Sequence, residues 1–441
     1  MRAQSAKDST NETASPRAKT WHPHPLQWIS WRTAFLILLS TNALWIGGDL
    51  HGRVKTKLDR KGLGTIRNDA DYLSTTRSVG MRWFQGTPPL EVSDRAETFV
   101  EKVLKYRDPK AIMAENPLQY SSHQAVLAKG ISISCRESGN KVELQAIEQY
   151  VSAFLDARTS INGKLVLEKM DEGMNGESVL FLLKTTRNQK YRNAADTIAQ
   201  YYLEQAIRAG GTIPYRGVSN NGLRFVDALA MMCPFLAQYG ALFDRPEAID
   251  LSVTQLTAFI EHGVDKQTGL PFHAYDPSTG NTPVELLGWG RGTGWYAIGL
   301  IDTLGELPHG SENRATFEKT ATRLVDVILR FQRADGGWGS LITYSESKYD
   351  SSATAFLVYF LQRATEEQLV AESVVREPVQ RAIESLKDHT RADGTVDFSE
   401  GDYMGLARMS QRYAPSAFSQ GMLIAVMTKY LKQPVPEKSE Q

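Results

Sequence analysis

Cysteine is nearly absent. Cys135 and Cys233 are the only thiols in 441 residues, which excludes a disulfide framework and a cysteine-built metal site. An excess of either charge is also missing: 50 Lys and Arg stand against 50 Asp and Glu. That balance offers no basic surface for nucleic acid and no acidic excess to keep the chain unfolded. The period-two alternation of half-buried strands is not found anywhere, so no strand is expected. Long apolar runs are missing with one exception, the uncharged stretch from Thr33 to Gly48. It falls between the core of a signal peptide, about 7–15 residues, and a spanning helix, about 17–25. What the chain does have is a 41% apolar content, enough for a large core.

The amino terminus divides by composition. Residues 1–26 are polar and rich in Ser, Thr, Asn, Lys and Arg, which reads as a disordered tail. In 27–49, Trp31 and Trp45 stand where the two interfaces of a bilayer would lie, and no small-x-small cleavage site follows. An uncleaved anchor or signal is therefore expected, contacting the inner membrane and leaving the body in the periplasm. Basic residues flank both sides of the run, so orientation stays open. Residues 50–90 lack periodicity and read as a linker, 91–433 as the folded body, and 434–441 as a tail.

From Glu91 onward, apolar residues recur at i, i+3, i+4 and i+7, separated by loops rich in Gly, Asp and aromatics. Phe99, Val103 and Tyr106 mark the first such helix; Ile147, Tyr150, Val151, Phe154 and Leu155 mark another. In all, about twelve helices are expected. The loops Gly210-Gly-Thr-Ile-Pro-Tyr215, Thr268-Gly-Leu-Pro-Phe-His273, Asp335-Gly-Gly-Trp338 and Asp393-Gly-Thr-Val-Asp397 recur at roughly 60-residue intervals. Each repeat is one helical hairpin, which cannot bury its apolar face alone. Six hairpins can close into a ring with an inner and an outer layer and with the glycine turns at one mouth. An open solenoid would show the same periodicity. The ring is favoured by aromatic and charged residues massing in the loops of one side, and by another loop-helix junction at Pro415-Ser-Ala-Phe-Ser-Gln-Gly421.

Three polar clusters interrupt this apolar scaffold. Asp227 follows the loop Gly217-Val-Ser-Asn-Asn-Gly222 and opens the helical run 228–239, where partial desolvation suits a proton donor. In Trp289-Gly-Arg-Gly-Thr-Gly-Trp295 three glycines clear space around one guanidinium and two indoles. Trp289 and Trp295 offer flat faces for a sugar ring, and Arg291 can grip a carboxylate through two parallel bonds, so an acidic sugar is expected. A phosphate loop is excluded, because its Lys and its Ser or Thr are missing and no strand precedes it. His273 stands in an extended loop without a second His at ligand spacing, which argues against zinc. Asp171 and Asp350 both precede helices, where capping competes with catalysis; capping is the stronger reading for Asp350.

The runs Phe225-Val-Asp-Ala-Leu-Ala-Met-Met-Cys-Pro-Phe-Leu-Ala-Gln-Tyr239, Thr268-Gly-Leu-Pro-Phe-His-Ala-Tyr-Asp276, Gly288-Trp-Gly-Arg-Gly-Thr-Gly-Trp295 and Tyr349-Asp-Ser-Ser-Ala-Thr-Ala-Phe356 together resemble the unsaturated rhamnogalacturonyl and unsaturated glucuronyl hydrolases. The resemblance covers roughly residues 95–432. It implies an all-α (α/α)6 barrel that acts, without metal or organic cofactor, on acidic oligosaccharides bearing a 4,5-unsaturated uronic acid. It further implies that Asp227 protonates C4 and assists water attack at C5, that Asp171 lies near the substrate, and that His273, Arg291 and Trp295 line the pocket. Tyr215 and Arg216 stand where the rhamnogalacturonyl type carries an aromatic-x-His element, and Phe225 replaces a Trp. The added cation at Arg216 suits a more acidic glycan. The competing reading is a tethered glycan-binding or glycan-assembly protein on the same barrel, without turnover.

Overall fold

The computed structural model describes residues 33, 39–40, 54, 56–86, 120–215, 222–402 and 409–432. It divides into two units, Met1–Lys61 and Gly62–Gln441. The described residues of the first unit are helical. Most of the expected anchor lies outside the described residues, as does the helix marked by Phe99, Val103 and Tyr106. Among the described residues no helix is long and apolar enough to cross a membrane.

The second unit is built from twelve described α-helices: α1 Asp69–Gln85, α2 Ser122–Ser138, α3 Lys141–Arg158, α4 Gly176–Thr186, α5 Gln189–Ala209, α6 Asp227–Phe243, α7 Pro246–His262, α8 Gly290–Leu304, α9 Glu312–Arg330, α10 Ser351–Glu366, α11 Glu372–Asp388 and α12 Ala417–Tyr430. Two burial patterns alternate along the chain. In α10 every residue from Ser351 to Gln362 is buried, as a helix enclosed on all sides requires. In α9 burial is confined chiefly to the stripe Phe317, Ala321, Leu324, Val325 and Ile328, the mark of a helix with one face to water. Even-numbered helices follow the first pattern and odd-numbered helices the second, giving an inner and an outer layer. Successive inner helices pack on one another, and α12 packs on α2. That last contact closes the ring and decides against the open solenoid.

The expected linker 50–90 is corrected: it contains α1, which packs against α12 and α2. Its buried stripe runs through Tyr72, Leu73, Thr76, Val79, Gly80 and Phe84. Thr76 and Gly80 occupy positions that an apolar count passes over. The side chain of Asn68 caps this helix, accepting from the amides of Ala70 and Asp71 at 3.0 Å each.

The expectation of no strand is corrected as well. Strands β1 Arg224–Phe225, β2 Phe272–Asp276 and β3 Thr282–Leu287 form an antiparallel sheet in that order, and β4 Ser399–Glu400 pairs with β5 Tyr413–Ala414. Strands of this length lie within loops, where alternation has no room to register. Three of the four expected glycine loops form tight turns after outer helices, and Gly163 adds another. Gly163 N bonds Ser160 O, Gly336 N bonds Arg333 O and Gly394 N bonds Arg391 O across three residues, while Gly269 N bonds Asp265 O across four. Each of these glycines has φ between 74° and 87°, a region costly for a side chain.

The start of each inner helix is tied to a neighbouring loop of the same mouth. Val226 N donates to His273 O, Gly290 N to Ser340 O, and Ser351 N to Phe398 O, while Asn175 Nδ2 donates to Tyr120 O. Near the starts of α2 and α12 His123 stacks on Phe418, and the six inner amino termini therefore gather at one mouth.

Candidate active site

Asp227 is the first residue of α6. Its side chain keeps 18% of its exposure, and Oδ2 lies 3.5 Å from Nε2 of His273. The three-stranded sheet makes this pairing, for β1 ends just before α6 and runs antiparallel to β2, with Phe225 opposite Ala274. His273 is therefore strand rather than loop. Its ring is buried edge-on between Phe225, at 4.9 Å, and Trp289, at 5.0 Å. Tyr215 continues this aromatic row by meeting Phe225 at 6.0 Å.

The other nitrogen of His273, Nδ1, lies 2.8 Å from Oε2 of Glu285. Burial depresses the imidazolium, but the hydrogen bond and charge of Asp227, joined by those of Glu285, outweigh it and leave the His273 pKa raised. Sequence reasoning missed Glu285. The signal was present in Phe272-His-Ala-Tyr-Asp276 and Thr282-Pro-Val-Glu-Leu-Leu287, two short runs joined by Pro277-Ser-Thr-Gly-Asn281, which is a hairpin pattern.

Asp171 lies in the short 3-10 turn Met170–Asn175, which packs on α6. Tyr202 clamps the two together, its hydroxyl donating to Met170 O at 2.8 Å and Met231 O at 3.2 Å. Burial raises the Asp171 pKa, while His123, Lys169 and the backbone amide of Ser122 draw it down and Glu172 adds to the rise; the net is upward. Capping of α4 is not its role: Asn175 holds that N-cap position, and no side chain caps it. Asp350 does cap, accepting from Ser352 N at 2.9 Å and from Glu400 N at 3.1 Å. His123 was also missed. Its ring stacks on Phe418 at 4.1 Å, with Nδ1 3.0 Å from Ser121 Oγ and Nε2 3.1 Å from Asp402 Oδ1. A His one residue into an apolar helix start carries no distinguishing pattern of its own.

The glycine-flanked cluster is corrected. Trp295 is 1% exposed and meets Phe356 and Phe418 edge-on at 4.8 and 5.2 Å, so it packs the core instead of offering a face to a sugar. Trp289 is equally buried and donates from Nε1 to Glu400 Oε2 at 2.8 Å. Arg291 donates to the carbonyls of Glu400 and Gly401 at 2.5 and 2.8 Å, and so holds the loop before α12 rather than a substrate carboxylate. The reason lies in the glycines. A Cβ on Gly290 would strike Gly339 O, and one on Gly294 would lie 2.6 Å from Phe356 Cβ; the first admits a loop carbonyl and the second a facing helix. Arg216 lies outside the described residues. Among the described residues no three His, Cys, Asp or Glu side chains gather as metal ligands.

With this geometry in view, residues 95–433 match the family model described as Glycosyl Hydrolase Family 88. The chain is 24% identical over 228 residues to the unsaturated rhamnogalacturonyl hydrolase YesR of Bacillus subtilis, a match covering 50% of this chain and 63% of that relative's length. It superposes with a TM-score of 0.63, at 20% identity, on a possible member of GH105 family from Salmonella enterica, covering 70% of this chain and 82% of that one. On the unsaturated glucuronyl hydrolase of Bacillus sp. GL1 the TM-score is 0.57 at 19% identity, covering 71% and 86%. These structural likenesses carry the fold.

Proposed function

The chain belongs to Glycosyl Hydrolase Family 88, and from that premise we propose that it hydrolyses oligosaccharides whose non-reducing end is a 4,5-unsaturated uronic acid. The observation that carries this reading is a partly exposed carboxylate at the head of an inner helix, Asp227, held against a buried imidazole. The relatives, hydrolases of unsaturated rhamnogalacturonyl and glucuronyl units, support the substrate class. In the reaction Asp227 gives its proton to C4 of the vinyl ether, and water adds at C5. The water's proton returns to the Asp227 carboxylate, and the hemiketal opens to release the remaining sugar. Attack at the anomeric carbon by a separate nucleophile is not required. Asp171, whose protonated form burial favours, stands on the neighbouring turn as a second donor toward the sugar ring.

Incubating the full chain with lyase digests of pectic, glycosaminoglycan and ulvan-type polysaccharides tests this directly. Loss of the ultraviolet absorbance of the conjugated double bond is expected from the wild type and not from Asp227→Asn. Persistent absorbance across all three digests removes the proposal. An envelope location rests on the run 33–48 alone, and fractionation of cells making the full chain tests it.

A further inference from the structure

The hairpin β2–β3 contains an irregularity with a chemical result. Phe272 pairs with Leu287 and Ala274 with Val284, so His273 alone faces both Glu285 and Leu286. One extra residue on β3 makes this a bulge, and bulges re-aim side chains. Glu285 sits at φ 70°, a left-handed conformation that a non-glycine residue adopts only when its surroundings hold it there. The conformation turns a carboxylate inward, leaving its side chain 7% exposed beside a His273 side chain that is 4% exposed. Oε2 meets His273 Nδ1, and Oε1 is buried with no hydrogen-bond partner. Among the cross-strand arrangements open to a hairpin, burying an acid with one oxygen unsatisfied is a costly one.

We propose that Glu285 is a positioning residue for the hydrolysis suggested above: it fixes the hydrogen on His273 Nδ1 and so presents Nε2 to Asp227. The inference rests on that functional reading. An ionised carboxylate can only accept, so Nδ1 must donate to it. The remaining nitrogen is then aimed at the group that surrenders a proton to C4 and recovers one from water. With both ring nitrogens protonated throughout the cycle, Nε2–H faces Asp227 before and after the transfer to C4 and stabilises the carboxylate left behind, while Glu285 offsets the charge of the imidazolium. An acid, an imidazole and a second acid in line have the same logic as other orienting carboxylate-histidine pairs. Among the described residues, Asp227 from α6, Glu285 from β3 and the rings of Phe225 and Trp289 face the imidazole.

Three measurements decide the matter. In 15N NMR of the wild-type protein, His273 is expected to be protonated at Nδ1 over the whole range in which it is folded; an unprotonated Nδ1 overturns the proposal without any substrate. In the absorbance assay, Glu285→Gln is expected to lower kcat by about 10²-fold with KM nearly unchanged, and to move the alkaline limb of the pH profile to lower pH. Glu285→Asp is expected to recover part of the loss. A Glu285→Gln protein with wild-type kcat and an unmoved limb defeats this inference while leaving the proposed activity standing. Wild-type protein that leaves every digest unchanged defeats the activity, while the NMR result still reports on Glu285.

Discussion

Two acid clusters of the inner ring are treated in opposite ways. At the far end, among residues lining one cavity, the buried acids meet permanent cations. Lys129 Nζ bonds Glu177 at 2.6 Å and Asp302 at 2.8 Å. Arg363 reaches Asp302, Glu366 and Glu367, and Lys429 reaches Glu366. All of these but Glu367 line a cavity of about 530 Å³. At the near end Asp227 and Glu285 meet His273, and Asp402 meets His123. Lysine and arginine hold their charge throughout the physiological range, whereas an imidazole does not. The far end is thus a fixed ionic plug, and the near end is a site where protons can move.

Even within the plug one difference is instructive. Burial raises the pKa of Glu177, and Lys129 alone does not reverse it. Burial also pushes Asp302 up, but Lys129 and Arg363 together hold it below the usual carboxylate range. A second cation decides the sign.

The comparison breaks first at the near end. Asp227→Asn is expected to reduce turnover by about 10³–10⁴-fold with little change in melting temperature, as steady-state absorbance kinetics and calorimetry would register. The mirror experiment is Lys129→Met, which strands Glu177 and Asp302 without their shared cation. It is expected to cost about 3–5 kcal/mol of stability in denaturant titration and to leave kcat per folded molecule unchanged. A smaller loss, about 1–2 kcal/mol, is expected from Asp350→Ala, because its carboxylate caps α10 and holds Glu400 N. The smallest effect is in the pH dependence of wild-type melting. Asp302 is lowered in the fold, so its contribution is complete above the unfolded pKa, about 4, and is lost as pH falls through the folded value. His273 is raised, so its contribution is complete below about 6.5 and is lost as pH rises through its folded value. The plug should weaken on the acid side and the site on the alkaline side; Arg363→Met should soften the first trend and spare the second.

Much of this was legible beforehand. The helices from α2 on, their two layers, the place of Asp227 at a helix start and the capping role of Asp350 followed from apolar period and from position at helix starts. Arg291, Trp289 and Trp295 were read with the right neighbours and the wrong orientation. Glycines beside a guanidinium and indoles signal close approach, but they do not say whether ligand or helix approaches. Glu285 was missed for a different reason: the hairpin pattern was legible, but the bulge that aims its side chain was not.

Periodicity along the chain was sufficient to determine eleven of the twelve described helices, α2 to α12, because amphipathicity is a local property of residues three and four apart. Only the tertiary structure decided that the ring closes, that the glycine-flanked guanidinium faces inward, and that Asp227, His273 and Glu285 stand in line. Those outcomes depend on contacts between residues far apart in sequence, and a side chain's direction is fixed by what packs against it.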